Sequence, residues 1–242
     1  MARPWPGQLC ETGNGVSDRY SINPIDCILL PTAFAAGAVD LISFATLGGV
    51  FASAMTGNFA LLTYYIAQGH SQAAMGSVVA LGGFVVGCGL GVLQRRGRPR
   101  HRAIRLLLVS EMVLLLSFAL YTLWAPHAAH GASKHLQVAL LAVAMGLQAV
   151  IGQAVSLTTI VFTTTLTKLV ATITDSIARR DASALNDVKI QSSVVVSYLF
   201  GALLAGTLIV RRLDVVVVLP LVGVALAFAC QWRASPPFND CG

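Results

Sequence analysis

A chain of 242 residues with 56% hydrophobic and only 11% charged side chains, and a mean hydropathy of +0.75, is excluded from the soluble globular class, whose domains carry roughly a quarter charged residues. A polytopic membrane protein remains, because its lipid-facing surface is itself apolar. The net charge of +6 is concentrated, with Arg95, Arg96, Arg98, Arg100, Arg102 and Arg105 inside eleven residues, and such a loop between apolar spans fits the positive-inside rule better than a nucleic-acid patch.

Residues 1–24 are polar and rich in Pro, Gly and Asn, and are expected to form a disordered cytoplasmic tail, not a signal peptide. Residues 25–233 read as a single integral membrane domain with halves at 25–124 and 136–232, and 234–242 as a second tail. Ile25 to Gln68 is apolar apart from Asp26 and Asp40. It is too long for one straight crossing of about 20 residues and barely long enough for two. Gly48-Gly49 and Thr56-Gly57-Asn58 are expected to break it, leaving a re-entrant or interfacial second piece. An acid as deep in such a run as Asp40 is a functional candidate by default.

Ala73 to Gln94 is a span in which Gly83, Gly87 and Gly91 fall on one face, suited to close helix packing. Leu106 to Trp124 follows, with Glu111 expected to reach the interface or Arg105. The loop from Ala125 to His135 holds His127, His130 and His135 without a carboxylate or cysteine, so no metal site is expected. His70 and His101 are also placed in loops. Leu136 to Ile177 is a second long apolar segment, with Gln148, Lys168 and many threonines, Thr163 and Thr165 among them. Ile190 to Val210 and Val215 to Trp232 are the last spans. Five scattered cysteines, Cys10, Cys27, Cys88, Cys230 and Cys241, indicate neither a disulfide framework nor zinc.

The order of parts occurs twice: a long broken segment, a small-residue span ending in Arg-Arg, and a span ending in Trp. Gly37 corresponds to Gly146, Arg95-Arg96 to Arg211-Arg212, and Trp124 to Trp232. If each long segment makes one net crossing and the N-terminus is inside, twelve Lys and Arg lie inside and three outside. If each crosses twice, the count is eight against seven. The first obeys the positive-inside rule. The expectation is an all-α membrane protein of about six transmembrane helices plus broken segments, built as two inverted three-crossing repeats.

Gly37-Ala38-Val39-Asp40, Phe44, Gly48-Gly49 and Met55-Thr56-Gly57-Asn58 resemble the N-terminal motif of the YoaK family of bacterial polytopic inner-membrane proteins, which are grouped by a domain of unknown function. Met145-Gly146-Leu147-Gln148 and Thr163-Thr164-Thr165-Leu166-Thr167-Lys168-Leu169 resemble its second motif. That motif usually reads Gly-Leu-Gln-Asn and Thr-Gly-Thr-Leu; here Ala149 and Thr164 stand for the Asn and the Gly. The resemblance covers about residues 28–232 and implies a multi-pass protein of the bacterial inner membrane. It implies no mechanism.

The leading functional expectation is a transporter or channel for a small solute or ion. Asp40 would bind or titrate, Thr56, Gly57, Asn58, Gln148, Thr163 and Thr165 would supply uncharged polar ligands, and Lys168 would pair with Asp40 or attract an anion. The bland reading of Asp40 is a hydrogen bond to backbone at the helix break. A second expectation is a non-transporting subunit or sensor acting through the Gly83, Gly87 and Gly91 face. An intramembrane enzyme needs a nucleophile with a base, paired acids or a metal; none is evident, so no catalytic residue and no cofactor are expected. The partners implied are the lipid bilayer and a small solute or ion, with a homo-oligomer left open and no nucleic acid. The six-crossing count predicts that Cys10 and Cys241 react with a membrane-impermeant thiol reagent only from the cytoplasmic side. Labelling of either in intact cells contradicts it.

Overall fold

The computed structural model describes residues 26–124, 132–154, 166–167, 169–174 and 184–234. These are helical, with no strand among the described residues. In chain order the helices are α1 (Asp26–Thr46), α2 (Met55–Ala67), α3 (Ser71–Arg95), α4 (Arg100–Trp124), α5 (Ala132–Ala154), α6 (Ala184–Val210), a 3-10 helix (Asp214–Val218) and α7 (Leu219–Ala234). Among the described residues six spans are long and apolar enough to cross a bilayer: those in α1, α3, α4, α5 and α6, and the 3-10 helix continued by α7. With 13 residues, α2 is about 20 Å long, short of the roughly 30 Å hydrocarbon core. Pro220 in the first turn of α7 removes an N–H that has no intrahelical partner there.

The first long segment breaks at Gly48-Gly49, as expected, and not at Thr56-Gly57-Asn58. Residues 47–54 form the break, and Thr56, Gly57 and Asn58 lie in the first turns of α2. The stop is a Schellman closure: Gly48 takes φ 101, and the Gly49 N–H reaches back to the Phe44 carbonyl at 3.1 Å. A side chain at Gly48 would meet no atom, so backbone conformation alone disfavours one there. At the end of α6 Arg212 takes a similar left-handed conformation, φ 55, while Leu213 N–H bonds the Leu208 carbonyl at 3.0 Å.

Most of α1 and α5 is buried, whereas much of α3, α4, α6 and α7 faces outward with Val85, Leu93, Val113, Leu203 and Leu226 exposed, as lipid-facing surface requires. The central helix α1 packs on α6 and α7; the central helix α5 packs on α3 and α4. Both parallel contacts depend on the absence of a Cβ. At one, a Cβ on Gly37 would overlap the Tyr198 carbonyl and a Cβ on Gly201 the Phe34 carbonyl. At the other, a Cβ on Gly146 would overlap the Phe84 carbonyl and one on Gly87 the Val143 carbonyl. Gly83 and Gly91 extend the second contact toward Ala139, Ala142 and Val150. The glycine face expected to pack a helix therefore packs α3 on α5.

Three sequence placements need correction. His101 and His135 lie in the first turns of α4 and α5, because these helices begin earlier than hydropathy alone marks. Glu111 does not reach the interface: it is 0% exposed, since α4 starts at Arg100 and carries it more than two turns inside. Arg105 does not pair with it, and sets its guanidinium 5.5 Å from the Trp232 ring centre.

Gly87→Ala and Gly37→Ala should each destabilise the purified protein by at least about 1–3 kcal/mol, the usual cost of overpacking. Gly82→Ala, where a Cβ meets nothing within 4 Å, should be neutral or stabilising by up to about 1 kcal/mol. Thermal unfolding in detergent separates these outcomes.

Candidate functional site

Asp40 projects from α1 six residues before the helix ends, and is 3% exposed. Its Oδ1 accepts the Ser53 N–H at 2.7 Å and its Oδ2 the Ser53 hydroxyl at 2.5 Å. The Tyr198 hydroxyl donates to the same Oδ2 at 2.9 Å. Both carboxyl oxygens are thus engaged by three donors from two other segments. Ser53 lies beside Asp40 and not beside the end of α1, so the linker folds back along α1 by about 9 Å. The first long segment accordingly contains a full span followed by a re-entrant turn.

Asn58, 0% exposed, braces the same linker from the other side. Its Oδ1 accepts the Phe51 N–H at 2.9 Å and its Nδ2 donates to the Phe51 carbonyl at 2.6 Å. This reciprocal pair mimics a strand bridge and satisfies two backbone groups that no helix supplies with partners. Phe51 stacks on Phe44, with ring centres 4.8 Å apart. A Cβ on Gly57 would press on the Phe51 ring.

The expected set does not gather at one point. Asp40 and Asn58 meet on residues 51–53, and Gly57 adjoins them. Thr56 is exposed. Gln148 lies about 12 Å further along α1, where its Nε2 donates to the Thr32 carbonyl at 2.5 Å. Thr163, Thr165 and Lys168 lie outside the described residues. Sequence reasoning missed Ser53 and Tyr198. Nothing local marked Ser53, but Tyr198 had a legible signal: a lone phenol in the middle of an apolar span needs a polar partner.

The two glycine crossings are alike in backbone contact and differ in the side chains beside them. Tyr198 stands to Gly37 as Phe84 stands to Gly146, each presenting its carbonyl to the glycine. Asp40 follows Gly37 at the same interval at which Ala149 follows Gly146. One crossing carries a carboxyl and a phenol, the other a methyl and a phenyl. Donor and acceptor are absent together, so neither is stranded.

A cavity of about 300 Å³ opens where α1 and α4 end and α5 begins, with Thr46, Thr122, Ser133, Gln137 and Asp214 among its lining and Ile42 and Phe118 on its apolar wall. Gln137 Nε2 donates to Thr122 Oγ1 across it at 3.1 Å. Among the described residues no group of three or more His, Cys, Asp or Glu is placed to hold a metal.

Asp40→Ala should be strongly destabilising, since the buried Ser53 N–H alone then costs about 1–3 kcal/mol. Asp40→Asn should cost less, because both hydroxyls can turn from donor to acceptor. Combining Asp40→Ala with Tyr198→Phe copies the apolar crossing and should cost less than the sum of the single changes by about 0.5–3 kcal/mol. Strict additivity in thermal unfolding would contradict the Asp40–Tyr198 bond.

Comparison with known proteins gives a consistent address. UPF0700 transmembrane protein YoaK of Bacillus subtilis (strain 168) is 27% identical over 182 residues, which span 70% of this chain and 77% of that protein. No solved structure matches. The model of a family described as "Protein of unknown function (DUF1275)" matches residues 28–230. With nearly its whole membrane domain matched, this chain is a polytopic membrane protein that belongs to the DUF1275 family.

Proposed function

We propose that the protein is a transporter or channel for a small solute or ion in the bacterial inner membrane, with both termini cytoplasmic. The observation that carries this reading is the cavity between α1, α4, α5 and the 3-10 helix, where Thr46, Thr122, Ser133, Gln137 and Asp214 stand in a largely apolar lining. Its polar groups are set among helices that otherwise expose apolar surface, and a bundle needs no such mouth for stability. Ile42 on its wall is two residues from Asp40, so movement of the re-entrant linker would be felt at the cavity. The Asp40–Ser53–Tyr198 contacts are hydrogen bonds without a countercharge, and such a latch can open and reform.

The packing also supports an inverted-repeat origin. Each central helix packs on the second and third spans of the other half and meets the second through an equivalent glycine pair. Transporters commonly place broken helices at such an interface. The alternative, a non-transporting subunit or sensor acting through helix contacts, is less well supported: Gly83, Gly87 and Gly91 already face α5, so a partner would have to use another surface.

The test is flux in proteoliposomes, screened over protons, alkali-metal ions and small polar solutes. Wild type should conduct at least one, and Asp40→Asn should alter the rate. Ser133→Cys in a background lacking the native cysteines should lose most flux on reaction with a bulky thiol reagent. No flux under a broad screen would sink the reading; unaltered flux after complete modification would remove the cavity from the path.

A further inference from the structure

A second buried acid lies apart from the Asp40 latch. Glu111 is 0% exposed, and neither Oε1 nor Oε2 has a hydrogen-bond partner. Gln148, also 0% exposed, uses its Nε2 on the Thr32 carbonyl, and its Oε1 too is without a partner.

Helix register brings these oxygens to one level. Helices α4 and α5 pack antiparallel: Gln137 near the start of α5 bonds Thr122 near the end of α4. At the other end, a Cβ on Gly91 would touch both Val150 of α5 and Leu107 of α4. Gln148 lies about three turns beyond Gln137, and Glu111 about three turns before Thr122. Both therefore return to the face that carries the Gln137–Thr122 bond, at matching depth. Leu108, Leu115 and Phe118, buried on α4 between and beyond these positions, keep water from the level.

By register, three buried oxygens without hydrogen-bond partners thus fall at one level of α4 and α5. A charged carboxyl left unpaired in an apolar interior is costly, and a bound proton or metal ion would offset that cost. The charged and titratable groups on the elements packed against α4 sit elsewhere: Arg95 and Cys88 on α3, Lys134 and His135 on α5, Asp214 on the 3-10 helix, and Cys230 and Arg233 on α7. None is bonded to Glu111, and Arg105 of α4 itself is turned to Trp232.

We infer that Glu111 and the Gln148 amide oxygen form a buried binding site for a small monovalent cation, a proton or an alkali-metal ion, between α4 and α5 and about three turns from the Gln137–Thr122 pair that lines the cavity. The site deepens the conduction reading by naming its ligand class, and rests on that reading for its place in a path. Binding is measured without flux, so the two fail separately. Oxygen donors suit hard cations. A proton on Glu111 would make it a donor to Gln148 Oε1, whereas an alkali-metal ion would take all three oxygens as ligands.

The experiment uses the full chain in detergent. Melting temperature is followed against pH at fixed sodium, and against sodium, lithium and potassium at fixed pH, with choline holding ionic strength constant. Wild type should shift by about 2–4 °C or more along at least one axis. A response to acid alone assigns the proton, and a response to an alkali metal assigns the metal ion. Glu111→Gln should lose that response while keeping any due to other groups. Should Glu111→Gln not fold, wild type is treated with dicyclohexylcarbodiimide, which reacts with buried protonated carboxyls, and its peptides are mapped by mass. Glu111 should be labelled, faster in acid or more slowly with sodium. No wild-type shift on either axis, an undiminished shift in Glu111→Gln, or absence of label from the Glu111 peptide would each overturn the inference.

Discussion

Water is absent from the bilayer core, so every backbone group there must find its partner within the protein. A re-entrant turn is costly under that constraint, because it gives up the helical ladder for several residues. Asp40 and Asn58 are what make it possible here. One takes the Ser53 N–H, the other takes both polar groups of Phe51, and each side chain is buried so that no lipid or water competes. The linker is thus held as a third wall between α1 and α2, and its position follows from two side chains on the helices that flank it.

The same economy governs the helix contacts. With no hydrophobic drive between helices in lipid, association depends on close packing and on polar links. The Gly37–Gly201 and Gly87–Gly146 crossings bring backbones together until a Cβ on either side would overlap a carbonyl. Close approach lets short side chains reach across: Ser197 Oγ donates to the Leu30 carbonyl at 2.7 Å, and Tyr198 reaches Asp40. Both contacts have a glycine crossing, but only one carries the carboxyl and the phenol. The geometry tolerates this because the pair is absent as a unit.

The two buried acids therefore differ in kind. Asp40 is satisfied by three donors, all within the chain, and its environment explains its presence. Glu111 is satisfied by none. A fully partnered acid holds structure together, whereas an unpartnered one points to something the chain binds. Depth in an apolar run, which first drew attention to Asp40, does not distinguish them.

Sequence alone determined the membrane class, the six spans and the break after the first, and marked Asp40 and Asn58 as polar groups in an apolar run. These follow from hydropathy, from glycine and from the cost of charge in lipid, which are properties of a residue and its near neighbours. The glycine face of α3 was legible for the same reason. What only the tertiary structure decided is who meets whom. Asp40 meets Ser53 because the linker folds back, and Tyr198 because α6 is pressed onto α1 at Gly37. Gln148 was grouped with Asp40 by composition, yet packing sends it to Thr32 and leaves its oxygen at the level of Glu111. Hydropathy put Glu111 near an interface because it marked the start of the apolar run, while α4 begins at Arg100. Long-range partners depend on helix register and crossing angle, and these are set by close contacts between distant segments that no local pattern records.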